Sequence, residues 1–145
     1  KSQMAETHAV FGGEHSAHYY FSEFFNADSG ILAAMHILAA LGNQEKPLSE
    51  LMASYERYES SGEINTRLES QEEQQERTQA VLDAFADRTE SVDTLDGVTV
   101  QLRDTPAWFS VRASNTEPLL RLNVEAPTKD EVTALVTEIL DIIRK

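Results

Sequence analysis

The run ILAAMHILAAL, residues 31 to 41, limits the architecture of this chain more than any other stretch. Asp28 or Ser29 in front of it can cap a helix start and Gly42 behind it can end one, so the spacing predicts a helix up to Gly42. That helix would be apolar nearly all round, and helices of this kind are covered on several sides. The upstream stretch THAVFGG supplies at most one strand to cover it. The chain also begins KSQ rather than with Met. Residues 1–46 therefore read as the strand/helix tail of an incomplete α/β domain whose sheet lies in sequence not given. The same run is short against the roughly 20 apolar residues of a membrane span and is broken by His36, and nothing at the start has the form of a signal peptide.

Charge narrows the partners. A formal net charge of −13 over 145 residues argues against nucleic acid and against an anionic membrane, since both reward Lys and Arg. Cysteine is absent, which removes disulfides and thiolate metal sites and fits a reducing cytoplasm. The charge is uneven. Residues 59 to 94 hold ten acidic and three basic side chains, the pattern of a solvated helix face. Residues 97 to 126 are locally neutral, with Arg103, Arg112 and Arg121 against Asp104, Glu117 and Glu125. An anionic ligand would be met there.

Residues 47–58 read as a connector, with Pro47 and then a helix from Leu48 to Tyr58 carrying Leu48, Leu51, Met52 and Tyr55 at helical spacing. Residues 59–145 contain a complete set of elements. Strands are expected near Glu63 to Leu68, Val98 to Leu102, Ala107 to Val111 and Leu119 to Glu125, with helices from Ser70 to Asp87 and Thr128 to Arg144. Asp96-Gly97 suits a tight turn, and Pro127-Thr128 followed by acidic residues suits a helix start. The fold class is α+β: an antiparallel four-stranded sheet covered on one face by two helices.

Two short strings carry chemistry. In RASNTEPLLR, residues 112 to 121, a strand runs into small polar residues. Arg112 offers a planar fork of donors, while Ser114, Asn115 and Thr116 offer hydroxyls, an amide and backbone N–H groups. That set fits a phosphate monoester. The plainer reading is a turn whose Ser, Asn and Thr bond their own backbone while Arg112 pairs with Glu117. In GGEHSAHYYF, residues 12 to 21, an extended backbone would point Glu14, Ser16 and His18 to one side. A zinc motif does not fit, because the histidines stand three apart with the Glu in front. Tyr19, Tyr20, Phe21, Phe24, Phe25 and Trp108 read as packing, and His36 as a helix residue with a local hydrogen bond.

Together the strings resemble the GGExSGH sugar-recognition loop and the phosphate-binding loop of the α-D-phosphohexomutases, in that family's order and spacing. The resemblance covers essentially the whole chain, as the tail of the third domain (1–46), a linker (47–58) and the fourth, TATA-binding-protein-like domain (59–145). It implies sugar contacts from Glu14 and Ser16, a positioning or proton-transfer role for His18, and phosphate binding by Arg112, Ser114, Asn115 and Thr116, with Arg121 as a further candidate. Gly12 and Gly13 would give the sugar loop unusual torsions and let its backbone approach the ligand. The family usually has Gly where this chain has Ala17, which matters if that position takes positive φ. The SNTEP form is closer to the phosphomannomutase and phosphoglucomutase branch than to the phosphoglucosamine mutases.

The family's reaction interconverts hexose 1-phosphate and 6-phosphate through an enzyme phosphoserine and a magnesium ion held by an Asp-rich loop. Neither that serine loop nor an Asp-x-Asp-x-Asp cluster occurs in this sequence. The expectation is therefore the substrate-recognition part of a cytoplasmic isomerase, inactive alone, with no metal site of its own although the full-length enzyme uses Mg2+. Its partners would be a hexose phosphate and the N-terminal domains of the same enzyme. A non-catalytic phosphosugar-binding module, or an acidic interaction domain that has lost the ligand, would share the same fold.

Overall fold

A computed structural model of the chain describes residues 2–14 and 17–145. The chain divides into two compact units, Lys1–Tyr55 and Glu56–Lys145.

In the first unit a short helix α1 (Ser2–Thr7) leads into strands β1 (Phe11–Gly13), β2 (Tyr19–Phe21) and β3 (Ala27–Asp28), all antiparallel in that order. The stretch THAVFGG supplies one strand, β1, as expected, and two further short strands follow it before the apolar helix. One expectation is corrected: residues 12 to 21 are not one extended ribbon, since the chain reverses between Gly13 and Tyr19, which pair in register. Positive φ falls on Ala17, at 64°, and on neither Gly12 nor Gly13. Gly12 serves packing instead. A Cβ there would lie 2.9 Å from the Sδ of Met4, which is buried against the strand.

Helix α2 (Gly30–Gly42) follows, with Ser29 as its N-cap accepting the Leu32 N–H at 3.2 Å. None of its residues is buried within the unit, and Ile31 is 80% exposed. Phe21 stacks on His36 of α2 with ring centroids 5.2 Å apart. Helix α3 (Leu48–Ala53) stops short of Tyr58, where the Ser54 hydroxyl turns back onto the Leu51 carbonyl at 2.7 Å and offers the backbone an alternative to continuing.

The second unit runs β4 (Glu59–Ser60), β5 (Ile64–Arg67), α4 (Gln71–Phe85), β6 (Thr89–Asp93), β7 (Val98–Leu102), β8 (Trp108–Ala113), β9 (Leu119–Ala126) and α5 (Lys129–Ile143). The four expected strands and both helices are present, and the antiparallel sheet is extended by β4 and β6 to the order β4-β9-β8-β7-β6, with β5 also on β9. β4 and β5 share one edge of β9. Between them Ser61 holds Val124 through its N–H and its Oγ, both at 2.9 Å, and Gly62 takes φ +63°. A kink of that kind suits glycine.

Alternation drives the sheet. Along β9 every second residue, Leu120, Leu122, Val124 and Ala126, is buried, the period expected of a sheet covered on one face. That face meets Val81 and Phe85 of α4 and Val132, Leu135, Ile139 and Ile143 of α5. The α5 residues recur at three- and four-residue spacing, so they form one stripe. A capping box between Thr128 and Glu131 starts α5. Phe85 packs edge-on against Phe109 at 4.9 Å. The core thus lies under β7, β8 and β9, and the 114–118 turn joins β8 to β9 at its margin.

Candidate functional site

The phosphate-loop candidates gather at that turn. Arg112 and Arg121 pair directly across β8 and β9, which places Arg121 near the start of β9. With Ala113, Ser114, Asn115, Thr116, Asp96 and Gly97 they line one cavity of ≈ 410 Å³. Like charges directly opposite on neighbouring strands repel. Carboxylates offset them here: Asp96 Oδ2 accepts from Arg112 Nη1 at 2.9 Å, and Glu63 lies 4.0 Å from Arg112 Nη2 and 3.9 Å from Arg121 Nε. That Arg121 Nε is buried and has no acceptor within hydrogen-bonding distance. A buried donor left unpaired costs free energy.

The turn itself is closed from behind. Gln74, only 2% exposed on α4, donates its amide to the carbonyls of Glu117 at 3.2 Å and Leu119 at 2.9 Å. Leu68 N–H takes the Pro118 carbonyl at 2.8 Å. Three consecutive carbonyls are therefore engaged by Gln74 and Leu68, neither of which lines the cavity. Ser114 is buried with its N–H committed to Leu119 O at 2.8 Å, and its Oγ accepts the Thr116 N–H at 3.4 Å. Asn115 and Thr116 are exposed. The plainer turn reading is right about local Ser–Thr bonding and wrong about Arg112, which meets Asp96 and Glu63 instead of Glu117.

In the first unit the 13-to-19 reversal brings Glu14 and His18 together by backbone pairing, with Glu14 N–H on His18 O at 2.9 Å and Ala17 N–H on Glu14 O at 3.0 Å. Ser16 lies outside the described residues. Asp28 receives the His18 Nδ1–H at 2.7 Å and the Tyr19 N–H at 2.9 Å, which fixes the ring and its tautomer. That bond, then the Asp28 charge, raises the His18 pKa above its ordinary value. The Tyr20 hydroxyl donates to Glu14 Oε1 at 2.9 Å, orienting the carboxylate and raising the phenol's own pKa. Tyr20 and Asp28 are cross-strand partners. Reading them as packing and as a possible helix cap missed both, and only the hairpin register reveals them. Gln74 and Asp96 were missed in the same way, one inside a glutamine- and glutamate-rich helix, the other as half of a turn signal.

Among the described residues no group of three or more His, Asp or Glu side chains is gathered that could hold a metal ion. Nor is any described helix long and apolar enough to cross a membrane.

Two family models match, "Phosphoglucomutase/phosphomannomutase, alpha/beta/alpha domain III" over residues 1–58 and "Phosphoglucomutase/phosphomannomutase, C-terminal domain" over residues 63–142. A phosphomannomutase of Methanocaldococcus jannaschii is 39% identical over 145 residues, all of this chain and 31% of that protein. A protein of Xanthomonas campestris described as phosphohexose mutases is 37% identical over 144 residues, 98% of this chain and 30% of its own length. The crystal structure of a phosphoglucomutase/phosphomannomutase family protein from Burkholderia thailandensis shares the fold, with TM-score 0.73 and 24% identity over 99% of this chain and 30% of that one. The chain belongs to the phosphoglucomutase/phosphomannomutase family. It spans about a third of the length of these relatives.

Proposed function

We propose that this chain is the substrate-recognition portion of a phosphohexomutase of the phosphomannomutase/phosphoglucomutase branch, and that the 112–116 turn with Arg121 binds the phosphate monoester of a hexose phosphate. The observation that carries the reading is the pair of opposed guanidinium groups at a turn whose carbonyls are tied behind it. A phosphate monoester brings about −1.5 to −2 charges at neutral pH and three acceptor oxygens. Arginine meets such a group with parallel N–H donors, and the Thr116 hydroxyl and Asn115 amide can complete the shell.

Glu14, Ser16 and His18 take the sugar hydroxyls in this reading. A carboxylate oriented by Tyr20 accepts from hydroxyls, and a histidine with Nδ1–H held by Asp28 presents Nε2 for accepting or donating a proton. The raised pKa keeps that ring protonated to higher pH than an ordinary histidine. The full-length enzyme would be a magnesium-dependent isomerase of the cytoplasm, a setting that the absence of cysteine suits. In this reading the chain's own contribution is to bind and orient. Phosphoryl transfer would fall to the enzyme's N-terminal domains, and the chain alone would not turn over hexose phosphates. Titrating the chain with glucose 6-phosphate and with glucose tests the reading. Amide shifts at residues 112–117 that saturate with the ester but not with the free sugar are expected, and equal responses to both would overturn it.

A further inference from the structure

The two carboxylates at the phosphate-loop cavity are built differently. Glu63 is shared between the arginines: its side chain is 30% exposed, it lies 4.0 Å from Arg112 Nη2 and 3.9 Å from Arg121 Nε, and Asn65 Nδ2 donates to it at 3.3 Å. Asp96 reaches in from the β6–β7 turn with a side chain 73% exposed, and accepts from Arg112 Nη1 at 2.9 Å. The turn that carries it is anchored. Gly97 holds φ +76°, and a Cβ there would meet Val111 O at 2.8 Å and Arg112 Cα at 3.0 Å, while Asp93 Oδ1 takes the Leu95 N–H at 2.7 Å. The Gly97 backbone is thus pressed against the strand bearing Arg112, while the Asp96 side chain is largely exposed.

The side chains lining this cavity include two guanidinium groups and one carboxylate, Asp96, while Glu63 lies outside the lining at 3.9 Å from Arg121 Nε, so an arriving phosphate of about −1.5 to −2 charges finds part of the positive charge already met. An anion entering it either tolerates the Asp96 carboxylate or displaces it. We propose that Asp96 is an internal competitor: its carboxylate occupies the edge of Arg112 that a phosphate takes, and it swings into solvent when phosphate binds. Glu63 stays and keeps the opposed arginines in place. Because Asp96 is exposed, releasing it costs little, and its effect is to weaken binding so that the ligand can leave. This rests on the phosphate reading of the 112–116 turn.

The test is an amide-shift titration with inorganic phosphate at constant pH and ionic strength, on the chain, on Asp96→Asn, on Asp96→Ala and on Arg112→Ala. In the unaltered chain the Leu95 and Gly97 amides are expected to move along the same saturation curve as Asn115 and Thr116. Losing an exposed competing ion pair should tighten binding by about two- to fivefold in both Asp96 variants. Unchanged or weaker binding in those variants overturns the competitor role, weaker binding marking Asp96 as a residue that positions Arg112. If the loop shifts persist unchanged in Arg112→Ala, or occur elsewhere in the chain, the phosphate reading itself falls and this proposal with it.

Discussion

Both candidate loops close an antiparallel hairpin, and they are held by opposite means. The 114–118 turn joins strands of six and eight residues whose inner faces lie in a shared core, and Gln74 reaches from that core to grip it. The 14–18 loop joins strands of three residues, and in its unit only Met4 and Phe21 are buried among the described residues. Its side chains hold one another, through His18–Asp28 and Tyr20–Glu14, and it carries Ala17 in the left-handed region. A loop backed by a core inherits its geometry from packing. A loop on short strands must supply its own geometry through hydrogen bonds, which pH and substitution can reach.

The largest expected effect breaks the first kind of support. Phe109→Ala empties a fully buried ring site beneath β8 and should cost about 3–5 kcal/mol by cavity formation. Denaturant unfolding monitored by α5 amide exchange would read the loss. The phosphate loop should lose protection with the core, and a loop unaffected by this change would show that it does not depend on packing.

That core was the legible part of the sequence. The alternation in LLRLNVEA and the capped stripe of α5 are patterns in which burial follows directly from period. β6 was hidden because TESVD has no apolar alternation: it is an exposed edge with a register shift between Thr89 and Ser91, held by β7 rather than by burial. The site was half legible. Arg112, Ser114, Asn115, Thr116 and Arg121 are brought to one cavity, yet Asp96 reaches it, Glu63 reaches its arginines and Gln74 reaches its turn from other elements, and no local pattern announces such a partner. In the first hairpin the unusual torsions expected of Gly12 and Gly13 are absent, whereas position 17, where the family usually has Gly, does take positive φ, on an alanine.

Gln74→Leu should have the next largest effect, leaving the Glu117 and Leu119 carbonyls without its amide, at about 1–3 kcal/mol. Weaker phosphate binding at nearly unchanged α5 protection is the expected pattern, separating loop closure from core stability. Asp28→Asn addresses the other loop. His18 in the unaltered chain should titrate above its ordinary 6.5, and the variant's midpoint should fall toward that value. Because the folded pKa is the raised one, the pair stabilises the first unit fully below about pH 6.5 and fades as pH climbs through the raised value. Identical midpoints in a histidine-detected titration would remove Asp28 from the account. The smallest change is a gain. Ala17→Gly should relieve the left-handed strain by about 1 kcal/mol, seen as slower exchange of the Glu14 and Ala17 amides, and faster exchange would mean that the alanine methyl contributes packing worth more than the strain.

The comparison turns finally on whether the core-backed turn is an anion site. Phosphate affinity measured on the chain and on Arg112→Ala addresses this most directly. Removing the charge-assisted partner should weaken binding by about 1.5–3 kcal/mol, or about ten- to hundredfold, with a smaller loss for Arg121→Ala. Equal affinity in the chain and in Arg112→Ala, with shifts that spare residues 112–117, would contradict the assignment and leave the loop as a turn between two strands.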